Sequence, residues 1–199
     1  AGRLSRRRHE VAQLLGEAIE QEIRTLRMEN ARFAVMFHEP PRGEAVYTEK
    51  GTDNPEFYLS TNVGEELKPL KGIASGGELS RIMLALKKVL ARTGSVGTIV
   101  FDEVDSGIGG ATAEIVGQKL REVSRHHQVL CITHLPQIVC CGTRHYRVAK
   151  RVAGERTNTS VTLLTEEERV EEIARMLGGV ELTETAREHA REMLAGVRG

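Results

Sequence analysis

Two short apolar runs, Gly97–Phe101 and Val129–Thr133, flank one helix-length segment, Ala111–Ser124. Each run is too short for a buried helix, and each is bounded by glycine or polar residues, as buried strands are. Strands joined by a crossover helix lie parallel in one sheet, with helices covering its faces. This unit predicts an α/β layer, and both strands are expected to be buried. A chain of 199 residues can bury a core around it.

The rest of the chain fits helices and strands around that unit. From Arg3 to Asn30 there is no proline and only one glycine, Gly16. Leu4, Val11, Leu15, Ile19, Ile23 and Leu26 recur at helical spacings and form one apolar stripe. The heptad register is short and imperfect, and it suits either the end of a coiled coil or a surface helix packed on a domain. Arg6-Arg7-Arg8 within it reads as a solvated helix face before it reads as a DNA contact. Residues 32–38 and 56–61 read as strands around the loop Pro40-Pro41-Arg42-Gly43. A helix from Ser75 places Leu79, Ile82, Met83, Leu86, Val89 and Leu90 on one side. Arg144–Val152 and Thr159–Leu164 form a hairpin across Ala153-Gly154, and helices Glu166–Leu177 and Leu182–Leu194 follow, separated by Gly178-Gly179. The domain reading is an arm helix at 1–30 followed by one lobe at 31–199.

Composition excludes some classes. Lys plus Arg and Asp plus Glu balance at 28 each, so the whole chain is no obvious polyanion binder. No apolar run approaches the roughly 20 residues that span a bilayer, which argues against a membrane partner. Cys131, Cys140 and Cys141 contain no Cys-x-x-Cys pair, and two are adjacent, which suits reduced thiols in a cytoplasmic protein. His126, His127 and His145 supply no matching ligand set with Cys131, so no zinc site is expected. The chain opens at Ala1 inside a helical pattern, which suggests a fragment of something longer.

Three motifs carry chemistry, and each has a plain structural explanation. Ser75 with Glu78 three residues on is a capping box, satisfying orphan donors at a helix start. The intervening Gly76 and Gly77 add nothing to a cap, but they clear side chains from a helix end that attracts phosphate. Asp102 and Glu103 end the first buried run at the carboxyl edge, where α/β sheets bind ligands. There Asp102 suits Mg²⁺ held through water, and Glu103 suits a base that orients and deprotonates an attacking water. The alternative is an acidic turn in which Asp105 caps the next segment. His134 ends the second run at the same edge, where an imidazole can contact a terminal phosphate; a lone histidine is also commonly a structural residue.

In this order the motifs resemble the signature, Walker B and switch-histidine motifs of an ABC-type ATPase head. The stretches Ala74–Arg81, Thr98–Gly110 and Cys131–Gln137 resemble in particular the RecN family of bacterial DNA-repair ATPases, relatives of the structural-maintenance-of-chromosomes (SMC) proteins. The likeness covers nearly the whole chain. It implies a fold: the C-terminal lobe of an ABC-type α/β head, entered by a helix from a coiled-coil arm. It implies a mechanism in which two heads of a homodimer sandwich ATP and Mg²⁺. Ser75, Gly76, Gly77 and Glu78 of one head would face nucleotide held by the other, and Asp105 would line the interface as part of the D-loop. Asp102 would serve the metal, with Glu103 and His134 catalytic. The implied partners are an N-terminal half with a Walker A loop, a second head, and DNA, in a cytoplasmic, nucleoid-associated protein. No Gly-x-x-x-x-Gly-Lys-Ser/Thr loop occurs in the 199 residues, nor a glutamine loop, so this chain alone is expected not to hydrolyse ATP. Two other readings remain: the head of a different coiled-coil ABC ATPase, and a non-catalytic docking module.

Overall fold

The computed structural model describes residues 1–38, 47–72, 75–91, 96–153, 156–179 and 182–198. The Pro40–Gly43 loop, Ala74 of the glycine-pair motif and Gly154 of the hairpin turn lie outside the described residues. The chain divides into two units, Ala1–Val96 and Gly97–Gly199.

In the first unit, helix α1 (Gly2–Thr25) buries Gly16, Ile19 and Ile23. The predicted stripe divides along its length. Ile19, Ile23 and Leu26 are buried, whereas Leu4 and Val11 stay exposed. Strand β1 (Arg32–His38) packs on this helix, and Glu20 Oε1 accepts the Phe33 N–H at 2.8 Å. The helix stops five residues short of Asn30, and Arg27 turns the chain with φ 61°. No glycine or proline announces that turn.

Strand β2 (Asn54–Ser60) pairs antiparallel with β1, from Arg32 opposite Ser60 to His38 opposite Asn54. Its other edge takes a two-residue strand, β3 (Lys68–Pro69). Helix α2 (Gly76–Val89) packs against α1 and buries Arg81, Ile82, Leu84, Ala85 and Leu86. The expected face rotates: Leu84 and Ala85 are buried, and Leu79, Met83, Val89 and Leu90 are only half-buried. Lys88 Nζ meets Glu22 of α1 at 2.8 Å.

The second unit contains the predicted strand–helix–strand element. Strand β4 (Thr98–Phe101), helix α3 (Gly110–Val123) and strand β5 (Gln128–Cys131) follow in order, and the strands pair in parallel from Thr98–Gln128 to Phe101–Cys131. Full burial of the strands is corrected. Ile99 and Phe101 face inward, but Val100 is 60 % exposed, Leu130 47 % and Ile132 60 %. The sequence is apolar on both faces of the pleat, while the described residues of this unit cover only one.

After β5 comes a one-and-a-half-turn helix, α4 (Pro136–Cys141), started by a proline at its first position. It packs on α3, and Gly117 makes room: a Cβ there would meet Cys141 Sγ at 2.7 Å and Gln137 O at 3.2 Å. Strands β6 (Tyr146–Ala153) and β7 (Arg156–Leu163) form the expected hairpin, paired from Tyr146–Leu163 to Ala153–Arg156. Helix α5 (Glu166–Gly178) starts with a complete capping box. Thr165 Oγ1 accepts the Glu168 N–H, and the Glu168 carboxylate accepts the Thr165 N–H. Helix α6 (Glu184–Arg198) packs on α5 and α4 around Cys140, Ile173, Ala174, Ala190 and Leu194. No helix among the described residues is long and apolar enough to cross a membrane.

Candidate functional site

The eight residues singled out in the sequence fall into two groups. Ser75, Gly76, Gly77 and Glu78 belong to the first unit, and Asp102, Glu103, Asp105 and His134 to the second. Each group is built by its own local structure.

Ser75 is extended (φ −86°, ψ 113°) and caps α2, its Oγ accepting the Glu78 N–H at 3.4 Å. That is a long hydrogen bond, near the limit at which one contributes. Among the described residues only this half of a capping box is formed at α2. Ser75 and Gly76 are exposed, Gly77 is buried, and Glu78 lies in the first turn, where its charge opposes the positive helix end. The helix start is therefore open at Ser75 and Gly76. Arg81, last residue of the motif, is buried, and desolvation lowers its pKa below the ordinary guanidinium range.

In the second unit the parallel pairing of β4 and β5 sends both following loops from the same sheet edge. The first loop carries Asp102 and Glu103, both exposed. Asp102 Oδ1 accepts the Glu103 N–H at 2.9 Å, and Glu103 holds φ 58°, a left-handed conformation that a non-glycine residue adopts at a cost. The Ser106 N–H closes a turn onto Glu103 O at 3.0 Å, and Gly107 takes φ 73° without penalty. Val104, fully buried, anchors the loop between the two exposed carboxylates and Asp105.

Asp105 is the hub. Its side chain is 5 % exposed, Oδ2 accepts from Thr133 Oγ1 at 2.6 Å and from His134 N at 2.9 Å, and His134 Nδ1 lies 2.9 Å from the same oxygen. Thr133 Oγ1 in turn accepts the Leu135 N–H at 3.1 Å. One buried carboxylate thus ties the loop after β4 to the loop after β5, and it holds the backbone of His134 with the ring close by. The His134 side chain is nevertheless 75 % exposed. Asp105, Thr133 and His134 are therefore brought together, and Asp102 and Glu103 open from the same loop.

Thr133 is the residue that sequence reasoning left without a role. Its signal was a hydroxyl placed directly before the histidine, which becomes meaningful only once Asp105 is known to reach it. Cys131, two residues earlier, is no nucleophile: burial, then the Asp105 and Asp102 carboxylates, push its thiol up to about 12. Burial likewise raises Cys140 to about 11.

No group of three or more His, Cys, Asp or Glu among the described residues can hold a metal ion. A single carboxylate can still serve Mg²⁺, which keeps several waters and takes one or two carboxylates beside substrate phosphates. Asp102, exposed and already oriented by its bond to the Glu103 N–H, fits that duty.

The mixed α/β fold resembles that of Smc head domains. The chain is similar to the Smc head domain with coiled coil and joint from Pyrococcus yayanosii, at TM-score 0.57 and 19% identity, over 80% of this chain and 28% of that one. It is also similar to an SmcHead bound to the C-winged helix domain of ScpA, at TM-score 0.54 and 18% identity, over 82% of this chain and 46% of that one. No family profile matches the chain. Individual sequences do: the DNA repair protein RecN of Halalkalibacterium halodurans is 48% identical over 94% of this chain and 33% of its own length. RecN of Treponema pallidum is 46% identical over 100% of this chain and 35% of its own, and RecN of Bacillus subtilis 42% over 98% and 36%. The chain is similar to the C-terminal part of these RecN proteins. It spans about a third of the length of these curated relatives.

Proposed function

We propose that this chain is the C-terminal lobe of an ATP-hydrolysing head that acts in DNA double-strand-break repair, residues 1–30 being the end of its arm helix and 31–199 the lobe. The observation that carries the reading is the parallel β4–β5 pair, which sends Asp102, Glu103 and His134 out from one sheet edge on loops joined through Asp105. Carboxylates and an imidazole at the carboxyl edge of parallel strands are what phosphoryl transfer to water needs. The similarity to RecN and to SMC head domains supports the same role.

Each residue then has a task. Asp102 would hold Mg²⁺ through water, and Glu103 would take the proton of the attacking water. His134 meets the terminal phosphoryl group. Ser75, Gly76 and Gly77, at the open start of α2, present backbone N–H groups and a hydroxyl to phosphates held by a second head. ATP with Mg²⁺ supplies the phosphoanhydride that is cleaved. Because no Gly-x-x-x-x-Gly-Lys-Ser/Thr sequence occurs in the 199 residues, that site is completed by an N-terminal half of the same protein, and head engagement holds or tethers DNA in a cytoplasmic, nucleoid-associated setting.

The test uses the chain alone and together with the N-terminal half. Alone it should hydrolyse ATP negligibly, and turnover should appear on reconstitution. Ser75→Arg should leave ATP binding and thermal stability near normal while abolishing ATP-dependent dimerisation. Turnover by the isolated chain that disappears in Glu103→Gln would overturn the divided site. Dimerisation unchanged in Ser75→Arg would reduce Ser75 to a helix cap.

A further inference from the structure

Helix α1 meets the β1–β2 sheet at two places far apart along its length. Toward its C-terminal end, Glu20 Oε1 accepts the Phe33 N–H at 2.8 Å. Toward its N-terminal end, the His9 ring stacks on Phe37, with centroids 3.8 Å apart and planes 17° from parallel. Between the two, helix and strand leave a groove of about 350 Å³ over Ala12, Gly16 and Val35. A single ring stack is a modest tether for the outer turns of so long a helix.

A second tether lies beside it. Asp53 directly precedes β2, and its two oxygens divide the work: Ser5 Oγ donates to Oδ1 at 2.6 Å, and Arg8 Nη1 donates to Oδ2 at 2.9 Å. Ser5 and Arg8 are three residues apart, so one helix face presents both donors to one carboxylate. The Asp53 side chain is 8 % exposed and that of Arg8 31 %. A charge-assisted pair shielded in this way is stronger than one in open solvent. The Ser5 hydroxyl, then the Arg8 guanidinium, hold the Asp53 carboxyl below the ordinary carboxylate range, so it is charged at neutral pH.

The turn before Asp53 is shaped for close approach to the helix. Thr48 and Gly51 exchange backbone hydrogen bonds at 3.0 and 3.2 Å, and Thr48 Oγ1 donates to Gly51 O at 2.7 Å. Gly51 holds φ 93°, and a Cβ there would stand 3.2 Å from Arg8 Nη1 and 3.3 Å from Leu4 Cδ2. Glycine therefore serves both the turn and its contact with α1.

We propose that residues 48–53 form a strap that fastens the outer turns of α1 to the end of the β1–β2 sheet, so that residues 5–25, about 30 Å of helix, move as one body with that sheet. Within Arg6-Arg7-Arg8 the strap gives Arg8 a task in the fold that Arg7, paired with Glu10 in solvent, does not share. Under the ATPase reading, an arm fastened at its root carries the orientation of this unit outward along the helix. The strap itself does not depend on that reading.

The experiment is hydrogen–deuterium exchange on the full-length protein. In the wild type, amides of residues 8–15 should be protected nearly as well as those of residues 19–26. Asp53→Ala should speed exchange in residues 8–15 roughly 10-fold, as loss of a charged hydrogen-bond pair does, while residues 19–26 and β2 stay as they were. Arg8→Asp, on the helix side, should do the same without touching the sheet. Combining Arg8→Asp with Asp53→Arg should restore part of the protection, because the pair is remade with its charges exchanged. Unchanged exchange at residues 8–15 in both single variants would overturn the proposal. So would equal acceleration in residues 8–15, residues 19–26 and β2, which would make Asp53 a support of the whole unit, or losses that simply add in the exchanged pair. ATP hydrolysis is measured alongside: a wild type without turnover would defeat the ATPase reading and leave the strap to be decided by exchange.

Discussion

The start of α2 and the paired loops after β4 and β5 differ in how much of their polar chemistry is satisfied within their own unit. At α2, Ser75 makes one 3.4 Å bond to its own helix, and Ser75 and Gly76 stand exposed. At the paired loops, Asp105 is buried and gathers two donors within 2.9 Å, and Asp102 already holds the Glu103 N–H. The first arrangement resembles a receptor for something that arrives. The second resembles machinery whose parts are set beforehand, which is how preorganised sites lower barriers without rearranging during the reaction. Function and stability should therefore respond differently to substitutions in the two regions.

The largest expected effect lies in the set machinery. Glu103→Gln keeps the shape and removes the base, so turnover of the reconstituted protein should fall roughly 10²–10⁴-fold while ATP binding persists. ATP-bound dimers should accumulate, as size-exclusion chromatography would show. Wild-type turnover in this variant would remove Glu103 from the mechanism, and the loop would then resemble the α2 start in being merely exposed.

Next in size is a change beneath the loops. Gly117 lets α3 approach α4, and α4 follows directly on the His134 loop. Gly117→Ala drives a methyl into Cys141 Sγ and Gln137 O, and overpacking of this kind costs about 1–3 kcal/mol. Chemical denaturation should show the loss. Turnover should fall with it if the geometry of the loops depends on this contact. A stable variant with reduced turnover would show strain delivered to the site rather than to the fold.

What was legible in the sequence follows the same division. Strands β4 and β5, helix α3 and the positions of Asp102, Glu103 and His134 could be read because period, length and the acidic terminus of one run agree. The hub at Asp105 could not, because it depends on two loops 28 residues apart meeting through one oxygen. Helix α4 escaped because its six residues are too short to show a period, and β3 because it is two residues ending in Pro69. The exposure of Val100, Leu130 and Ile132 was misread for another reason: an apolar run reports that a face is meant to be covered, not that the covering residues are in the same unit. The Ser-x-x-Glu pattern at Ser75–Glu78 signals a capping box of which only half forms, whereas the whole one forms at Thr165–Glu168.

A smaller effect concerns the thiol behind the loops. Cys131 has its pKa pushed up to about 12, so on raising the pH the unfolded chain gives up its proton first. The folded state then binds more protons than the unfolded one, and stability must fall with rising pH. The contribution is complete below the ordinary thiol range near 9 and is lost progressively between there and 12. By pH 10 the loss from this group is on the order of 1 kcal/mol. Melting curves of wild type and Cys131→Ala should therefore converge differently above pH 9 than below it. In the native protein at pH 8, iodoacetamide should modify Cys131 far more slowly than in urea. Rapid native modification would mean that the sheet edge is more open than its hydrogen bonds imply.

The smallest effect is expected at the start of α2, and it is the sharpest test of the contrast. Replacing a serine cap by alanine costs about 0.5–2 kcal/mol in general, and replacing it by glycine only a few tenths. With an oxygen–nitrogen distance of 3.4 Å, Ser75 belongs at the low end of that range. Ser75→Gly should be almost silent in a thermal melt, because glycine tolerates the cap position and the lost bond was weak. If the open helix start nevertheless serves a second head, the same variant loses the only hydroxyl among the exposed residues Ser75 and Gly76, so ATP-dependent dimerisation should weaken measurably at unchanged melting temperature. A melting point that drops with dimerisation intact would assign Ser75 to the fold, and the difference between the two regions would shrink to one of exposure.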